Sequence, residues 1–296
     1  MDLNNKPANT GGELPPQEKT GRKNPFNRWK WITALVVLVI IAAGIVYYYS
    51  ENRNAEPRLS VRQAVKIFAQ EGIYLTKTSD PEAAEINGVK PAVYFINDTE
   101  IKLMIYPYDS IAERKAAADL WRIQRRDKEN HSYWEEFYQA KNLLLAFKPI
   151  DDAGITLEDL RLTAQVEDII FEKLNDTQEL GFTGYSDNWE AETTVKYYEH
   201  FYAEEDGTLG CDNYYTASSL LKYLGDDVES VGEISYTMQY RASKASGTGV
   251  PLNRDGIAAL GSLGGTGSRP RADDELHFTV QWNGQEESFT AHCVNE

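Results

Sequence analysis

The side chains with chemical capacity in this 296-residue chain are few and scattered. Its four histidines, His131, His200, His277 and His292, have no HxH, HExxH or CxxC company, so the ligand spacing of a dedicated zinc site is missing. His277 and His292 stand in the two arms of an expected hairpin around Asn283-Gly284. Position 277 would pair near 290 there, which offsets His292 from His277. Nucleophilic catalysis has no G-x-S-x-G to start from. Cys293 directly follows His292, and strand neighbours point to opposite faces, so the two cannot share a proton. Glu204-Glu205-Asp206 and Asp226-Asp227 could suggest glycosidase carboxylates or a calcium loop, but they lack that spacing and read as solvated turns. The Gly-rich stretch at 261–267 lacks Lys and the strand-to-helix setting of a phosphate cradle. No metal, cofactor or catalytic residue is expected from these patterns.

Two constellations remain. Arg122, Arg125 and Arg126 fall at helical spacings of three and four, forming a small basic ridge where an anionic ligand or wall polymer could dock; a solvated helix face gives the same pattern. Cys211 and Cys293 lie in one β-rich region. In an oxidising compartment they are expected to form a disulfide closing a loop of about 80 residues. The alternative is a pair of buried free thiols.

The elements that would carry these residues begin with a hydrophobic run. Trp31 to Ser50 holds no charge, with Trp29 and Trp31 at one end and Tyr47, Tyr48 and Tyr49 at the other. Twenty helical residues span roughly 30 Å, the hydrocarbon thickness of a bilayer, and aromatic rings favour its interfaces. A single transmembrane helix over 31–50 is therefore expected, uncleaved because no small-x-small site follows. Cations on the N-terminal flank (Lys19, Arg22, Lys23, Arg28 and Lys30) outnumber those after the run (Arg53, Arg58 and Arg62). The positive-inside rule places the N-terminus in the cytoplasm. Residues 1–30, rich in Asn, Gly and Pro, read as a disordered cytoplasmic tail. The remainder, extracytoplasmic on this reading, carries 24 Lys and Arg against 43 Asp and Glu. Such acidity excludes nucleic acid as a partner.

Residues 59–148 read as an α+β domain. Ser60 caps a first helix, Ala92–Ile96 and Ile101–Tyr106 flank an Asn-Asp turn, Ser110 and Glu113 open a second helix, and Asn142–Phe147 is the last strand. The order α-β-β-α-β suggests both helices on one face of a small sheet. Residues 155–176 form a connecting helix with an apolar stripe from Leu162 to Leu174. Residues 180–296 read as a β-sandwich-like domain of about five strands, interrupted by a Gly/Ser-rich loop at 242–270 and ending in the Asn283-Gly284 hairpin.

The run Gly184-Tyr185-Ser186-Asp187-Asn188-Trp189-Glu190 and the closing Phe278-Thr279-Val280-Gln281-Trp282-Asn283-Gly284 resemble a C-terminal β-domain of uncharacterised lipoproteins and membrane-anchored proteins of endospore-forming Gram-positive bacteria. Gly264-Gly265-Thr266-Gly267-Ser268 resembles the Gly-rich segment before the final hairpin in that group. The first domain is similar to its members at Lys90-Pro91-Ala92 and at Ser110 to Arg114. The resemblance covers most of 59–296 and implies no activity, so no functional residue is carried over; the chain departs from the lipoprotein members in its expected transmembrane anchor.

The expected protein is a single-pass bacterial membrane protein with a non-enzymatic extracytoplasmic ectodomain for binding, sensing or envelope interaction. An envelope protein or wall polymer is the expected partner class. An extracytoplasmic hydrolase or enzyme accessory using scattered carboxylates is the alternative, and a signalling coreceptor a third.

Overall fold

Ser60 opens the first helix by a reciprocal cap. Its hydroxyl accepts the Gln63 backbone N–H, and the Gln63 side chain accepts the Ser60 N–H. The computed structural model describes residues 35, 37–39, 56–80, 83–126, 136–148, 156–204, 206–241 and 243–295. Helix α1 (Val61–Gln70) is followed by β1 (Leu75–Thr78), β2 (Ala92–Ile96), β3 (Lys102–Pro107), α2 (Ile111–Arg126), β4 (Glu136–Ala140) and β5 (Leu143–Lys148). The strands form one antiparallel sheet in the order β1-β2-β3-β5-β4. The expected β2–β3 hairpin is present, with Asn97 and Asp98 at φ 48° and 57°. Alternate side chains leave this sheet in opposite directions. Ile96, Leu103, Ile105 and Leu145 pack with Phe68 of α1, while Met104, Tyr106, Leu144 and Ala146 pack with Ala117 and Ala118 of α2. Helices thus cover both faces, where the element order had suggested one.

Thr156 and Asp159 form a second capping box and start α3 (Leu157–Asp168), which runs into a π-helical turn at Ile169–Leu174. Val166, Ile169, Ile170 and Leu174 join the α1 side of the core. The expected connecting helix is therefore part of the first core.

The remaining strands are β6 (Gln178–Tyr185), β7 (Trp189–Ala203), β8 (Leu209–Tyr223), β9 (Ile234–Tyr240), β10 (Ser243–Val250), β11 (Ile257–Gly265), β12 (Leu276–Trp282) and β13 (Gln285–Cys293). All eight belong to a single sheet, ordered β10-β9-β12-β13-β6-β7-β8-β11. Its two end strands approach each other, so the sheet is a nearly closed barrel around Phe182, Trp189, Phe278, Val280 and Trp282. This overturns the expected sandwich. A sandwich needs two facing sheets, whereas here one coiled sheet supplies its own opposite wall. The expected Gly/Ser-rich loop supplies two of the strands, β10 and β11, which pair with β9 and β8.

The expected architecture of one transmembrane helix, an α+β domain and a sandwich-like domain is corrected in its first part as well. No helix among the described residues is long and apolar enough to cross a membrane. Within 31–50 only residues 35 and 37–39 are described, as helical; the rest of that run and the tail at 1–30 lie outside the described residues. Residues 56–296 form one compact unit.

The hairpin β7–β8 joins the two sheets of this unit. In its first half Trp189, Ala191, Thr193 and Val195 are buried inside the barrel. Beyond Val195 the burial phase shifts by one residue, and Tyr198, His200 and Tyr202 are buried instead. β8 repeats the shift, burying Ala217, Ser219 and Leu221 in one phase and Asp212 in the other. Because the side-chain period in a strand is two, a one-residue shift means the opposite face is covered. The distal half of this long hairpin leaves the barrel and presents its outer face to the first sheet.

Candidate ligand-binding cleft

The outer face of the distal hairpin is built from cross-strand pairs: Tyr198 opposite Tyr214, His200 opposite Asp212, and Tyr202 opposite Gly210. Gly210 leaves room for this ring, since a Cβ there would lie 2.4 Å from Tyr202 and force the ring to move. Helix α2 meets this face with Arg114, which is fully buried. Its Nη2 donates to Asp212 at 2.6 Å and its Nε donates to the Lys141 carbonyl at 2.9 Å. Nη1 is buried with no hydrogen-bond partner among the described residues. Lys115, the next residue, places its ammonium 5.5 Å from the centre of the Tyr202 ring.

Asn175, at the end of the π-helical turn, ties the seam together. Its amide donates to the carbonyls of Gln139 and Ile170, both at 3.0 Å, and its side-chain oxygen accepts the Lys141 N–H. Its own carbonyl accepts from His200 Nε2 at 3.0 Å. A carbonyl only accepts, so the proton of His200 sits on Nε2 and Nδ1 is a bare, buried acceptor. Burial, only partly countered by the Asn175 hydrogen bond and the charge of Asp212, holds the His200 pKa below its ordinary 6.5. The imidazole is neutral and stacks on Tyr198 at 4.9 Å and 21°. Burial also pushes the Tyr198 phenol upward, so it stays protonated.

Where the two sheets diverge from this seam they leave a cleft of about 470 Å³. Phe171, Tyr198 and Tyr214 line it, with Phe171 6.0 Å from Tyr198 at 58° and 5.7 Å from Tyr214 at 84°. The lining carboxylates are Glu167, Asp168 and Asp212. Asp212 is neutralised by Arg114, and Glu167 accepts from the Tyr138 hydroxyl at 2.6 Å. A cleft of this size, with aromatic rings set among fixed polar groups, suits a small ligand or a side chain.

Of the expected basic ridge, Arg122 lines the cleft, exposed and paired with Asp119 of its own helix at 3.3 Å. Arg125 and Arg126 continue α2, but their side chains lie outside the described residues. The expected disulfide is not formed: Cys211 and Cys293 are both free. They lie on β8 and β13, with β6 and β7 between them in the sheet. Cys211 stands opposite Phe201, and Cys293 is linked through Phe182 to Thr193, eight positions away along β7. At about 4.8 Å between strands and about 3.3 Å per residue, no disulfide can reach. Burial and the nearby Glu199 and Asp212 raise the Cys211 thiol, the opposite of an activated nucleophile.

His131 lies outside the described residues. His277 pairs with Thr290 as expected, and its Nδ1 is 3.1 Å from the Thr290 hydroxyl. Glu275 sits 3.9 Å from His277 and 4.0 Å from His292. This has the order of a nucleophile, base and acid, but the histidines and Glu275 are more than half exposed. Water screens them there, and the group is not among the residues lining the cleft. No cluster of three or more metal-ligating side chains occurs among the described residues.

The motif residues quoted for the resemblance do come together. Asn188 of the β6–β7 turn donates from its backbone N–H to Glu287 of β13 at 3.1 Å, and Trp189 meets Trp282 edge-on at 5.4 Å. Gly184 beside them has no room for a side chain, since a Cβ would lie 2.5 Å from the Thr290 carbonyl. These contacts are structural, and none of the residues that make them lines the cleft.

Sequence reasoning assigned no site role to Arg114, Asn175, Tyr198 or Asp212. The available signal was the phase shift in β7: Val195 and Tyr198 are three apart, so two apolar faces alternate within one strand. Compared with known protein families, curated proteins and solved structures, the chain matches none.

Proposed function

We propose that this chain is a non-enzymatic binding module of a bacterial envelope, held at the cell membrane with residues 56–296 on the extracytoplasmic side. The cleft between the barrel hairpin and the first sheet is the observation that supports it: two of its three carboxylates, Asp212 and Glu167, are engaged with Arg114 and Tyr138, and the neighbouring Cys211 thiol is raised. A general acid and base need two titratable groups with unlike environments and reach to a common atom, and the cleft's fixed groups serve to shape and orient instead. The partner class is an envelope protein or wall polymer that offers a group small enough for the cleft.

Native mass spectrometry of the full chain with digested wall material tests this reading. Bound species are expected, and they should be lost in Thr216→Trp, which fills the cleft from β8 without touching the Arg114–Asp212 pair. Cleavage of the wall fragments that disappears in Asp212→Asn or Glu167→Gln would overturn the non-enzymatic reading in favour of a hydrolase. Localisation is checked separately, by protease added to cells stripped of their wall; protection of residues 56–296 would refute the outward orientation.

A further inference from the structure

Resting on the cleft as a binding site, we infer that the group it accepts is an alkylammonium cation. The Phe171 ring stands tilted to Tyr198 at 58° and edge-on to Tyr214 at 84°. Rings so arranged present faces in different directions round one space, which suits a compact cation; a flat ring system would need two parallel walls. The charges agree. Glu167, Asp168 and Asp212 share the lining with one described guanidinium, Arg122, whose charge is answered by Asp119. With Asp212 balanced by Arg114, the lining stays negative through Glu167 and Asp168. The chain as a whole carries −16, so a cation is drawn towards the cleft and an anion repelled. The hydrogen bond from Tyr138 fixes one oxygen of Glu167 and holds the carboxylate charge at the cleft wall, where it faces a bound cation. Phenols kept protonated by burial, as Tyr198 is, retain neutral π-faces. A cation in contact with such faces and out of water binds about tenfold more tightly than a neutral group of the same shape.

Calorimetric titration of the full chain in detergent tests the inference with choline against 3,3-dimethyl-1-butanol, its neutral counterpart in shape. Choline is expected to bind about tenfold more tightly than the alcohol. Phe171→Leu and Glu167→Gln should each weaken choline binding several-fold, with unfolding transitions unchanged. Choline and n-butylammonium represent a free alkylammonium ion, and Nα-acetyl-lysine amide represents an alkylammonium group displayed on a peptide. The tighter of the two identifies the source, and either supports the inference. Equal binding of the alcohol, or no effect of both substitutions, would overturn it, as would no cation binding at about 10 mM, the weak limit for a specific site. If neutral wall fragments still bind and Thr216→Trp still abolishes their binding, only the cationic assignment fails; if nothing binds in the cleft, the binding reading fails with it.

Discussion

The barrel interior and the seam against the first sheet lie on opposite faces of the same hairpin, β7–β8, and are held by opposite means. Inside the barrel the contacts are apolar and aromatic, with Trp189 packed against Tyr223 and Trp282. A buried hydroxyl pair, Thr193 and Ser219 at 2.8 Å, links β7 and β8, and one buried nitrogen, Trp189 Nε1, has no partner among the described residues. At the seam the contacts are directional: a buried ion pair, an asparagine side chain bridging three backbone groups, and two nitrogens, Arg114 Nη1 and His200 Nδ1, left without partners among the described residues. Apolar packing can close completely because it has no direction. A polar seam must keep each group at hydrogen-bond range, so it holds two sheets at a defined separation and lets a cleft persist beside it.

The largest effects should come from one truncation in each region. Trp189→Ala removes a fully buried ring and is expected to cost about 3–5 kcal/mol. Arg114→Ala is expected to cost a similar amount, about 3–5 kcal/mol, because it strands Asp212 in a buried site. Urea unfolding separates the causes. Replacing both partners, Arg114→Met with Asp212→Leu, should recover most of the seam's loss; a double variant no better than Arg114→Ala would break the contrast.

Asn175→Ala comes next, at about 1–3 kcal/mol, since it leaves the Gln139 and Ile170 carbonyls and the Lys141 N–H without that partner. Amide exchange should quicken in β4 and the π-helical turn and stay slow in β12 and β13. Uniform acceleration would show that the two regions unfold only together.

A smaller effect is expected from pH. Burial lowers the folded-state pKa of His200 below the 6.5 of the unfolded chain, so the unfolded state takes up the proton first. Its contribution is complete above about 6.5 and is lost as pH falls through the folded-state value. Urea midpoints measured between pH 7.5 and 5 should fall, and His200→Gln should flatten the part of the slope that His200 causes. An unchanged slope would remove His200 from the comparison.

The smallest effect is inside the barrel. Thr193→Val combined with Ser219→Ala removes donor and acceptor together and should be nearly neutral. A loss comparable to Asn175→Ala would show that the barrel, too, depends on its polar pair.

Much of the secondary structure was legible because its causes are local. Ser60 with Gln63 and Thr156 with Asp159 cap helices where their spacing indicates, and Asn283-Gly284 turns the last hairpin in the expected register, His277 opposite Thr290. β1 escaped because its short Leu-Thr-Lys-Thr pattern buries no residue and gives no apolar period. β10 and β11 escaped because Gly and Ser usually mark loops. Here their backbones are held by pairing with β9 and β8, a partner choice that local composition does not record.

Caps, turns and apolar periods belong to the sequence by itself, since each depends on residues within a few positions of one another. The tertiary structure alone decided that one sheet closes on itself where two had been expected, and that helices cover both faces of the other. It also decided that Cys211 and Cys293 lie too far apart to bond, and that Arg114 meets Asp212 across 98 positions of chain. Those outcomes depend on which surfaces meet after the elements form, and the free energy of meeting is shared among many distant residues. The cleft belongs wholly to this second class: none of its walls is a motif, and it exists only where the phase of β7 changes and a second sheet covers the face so exposed.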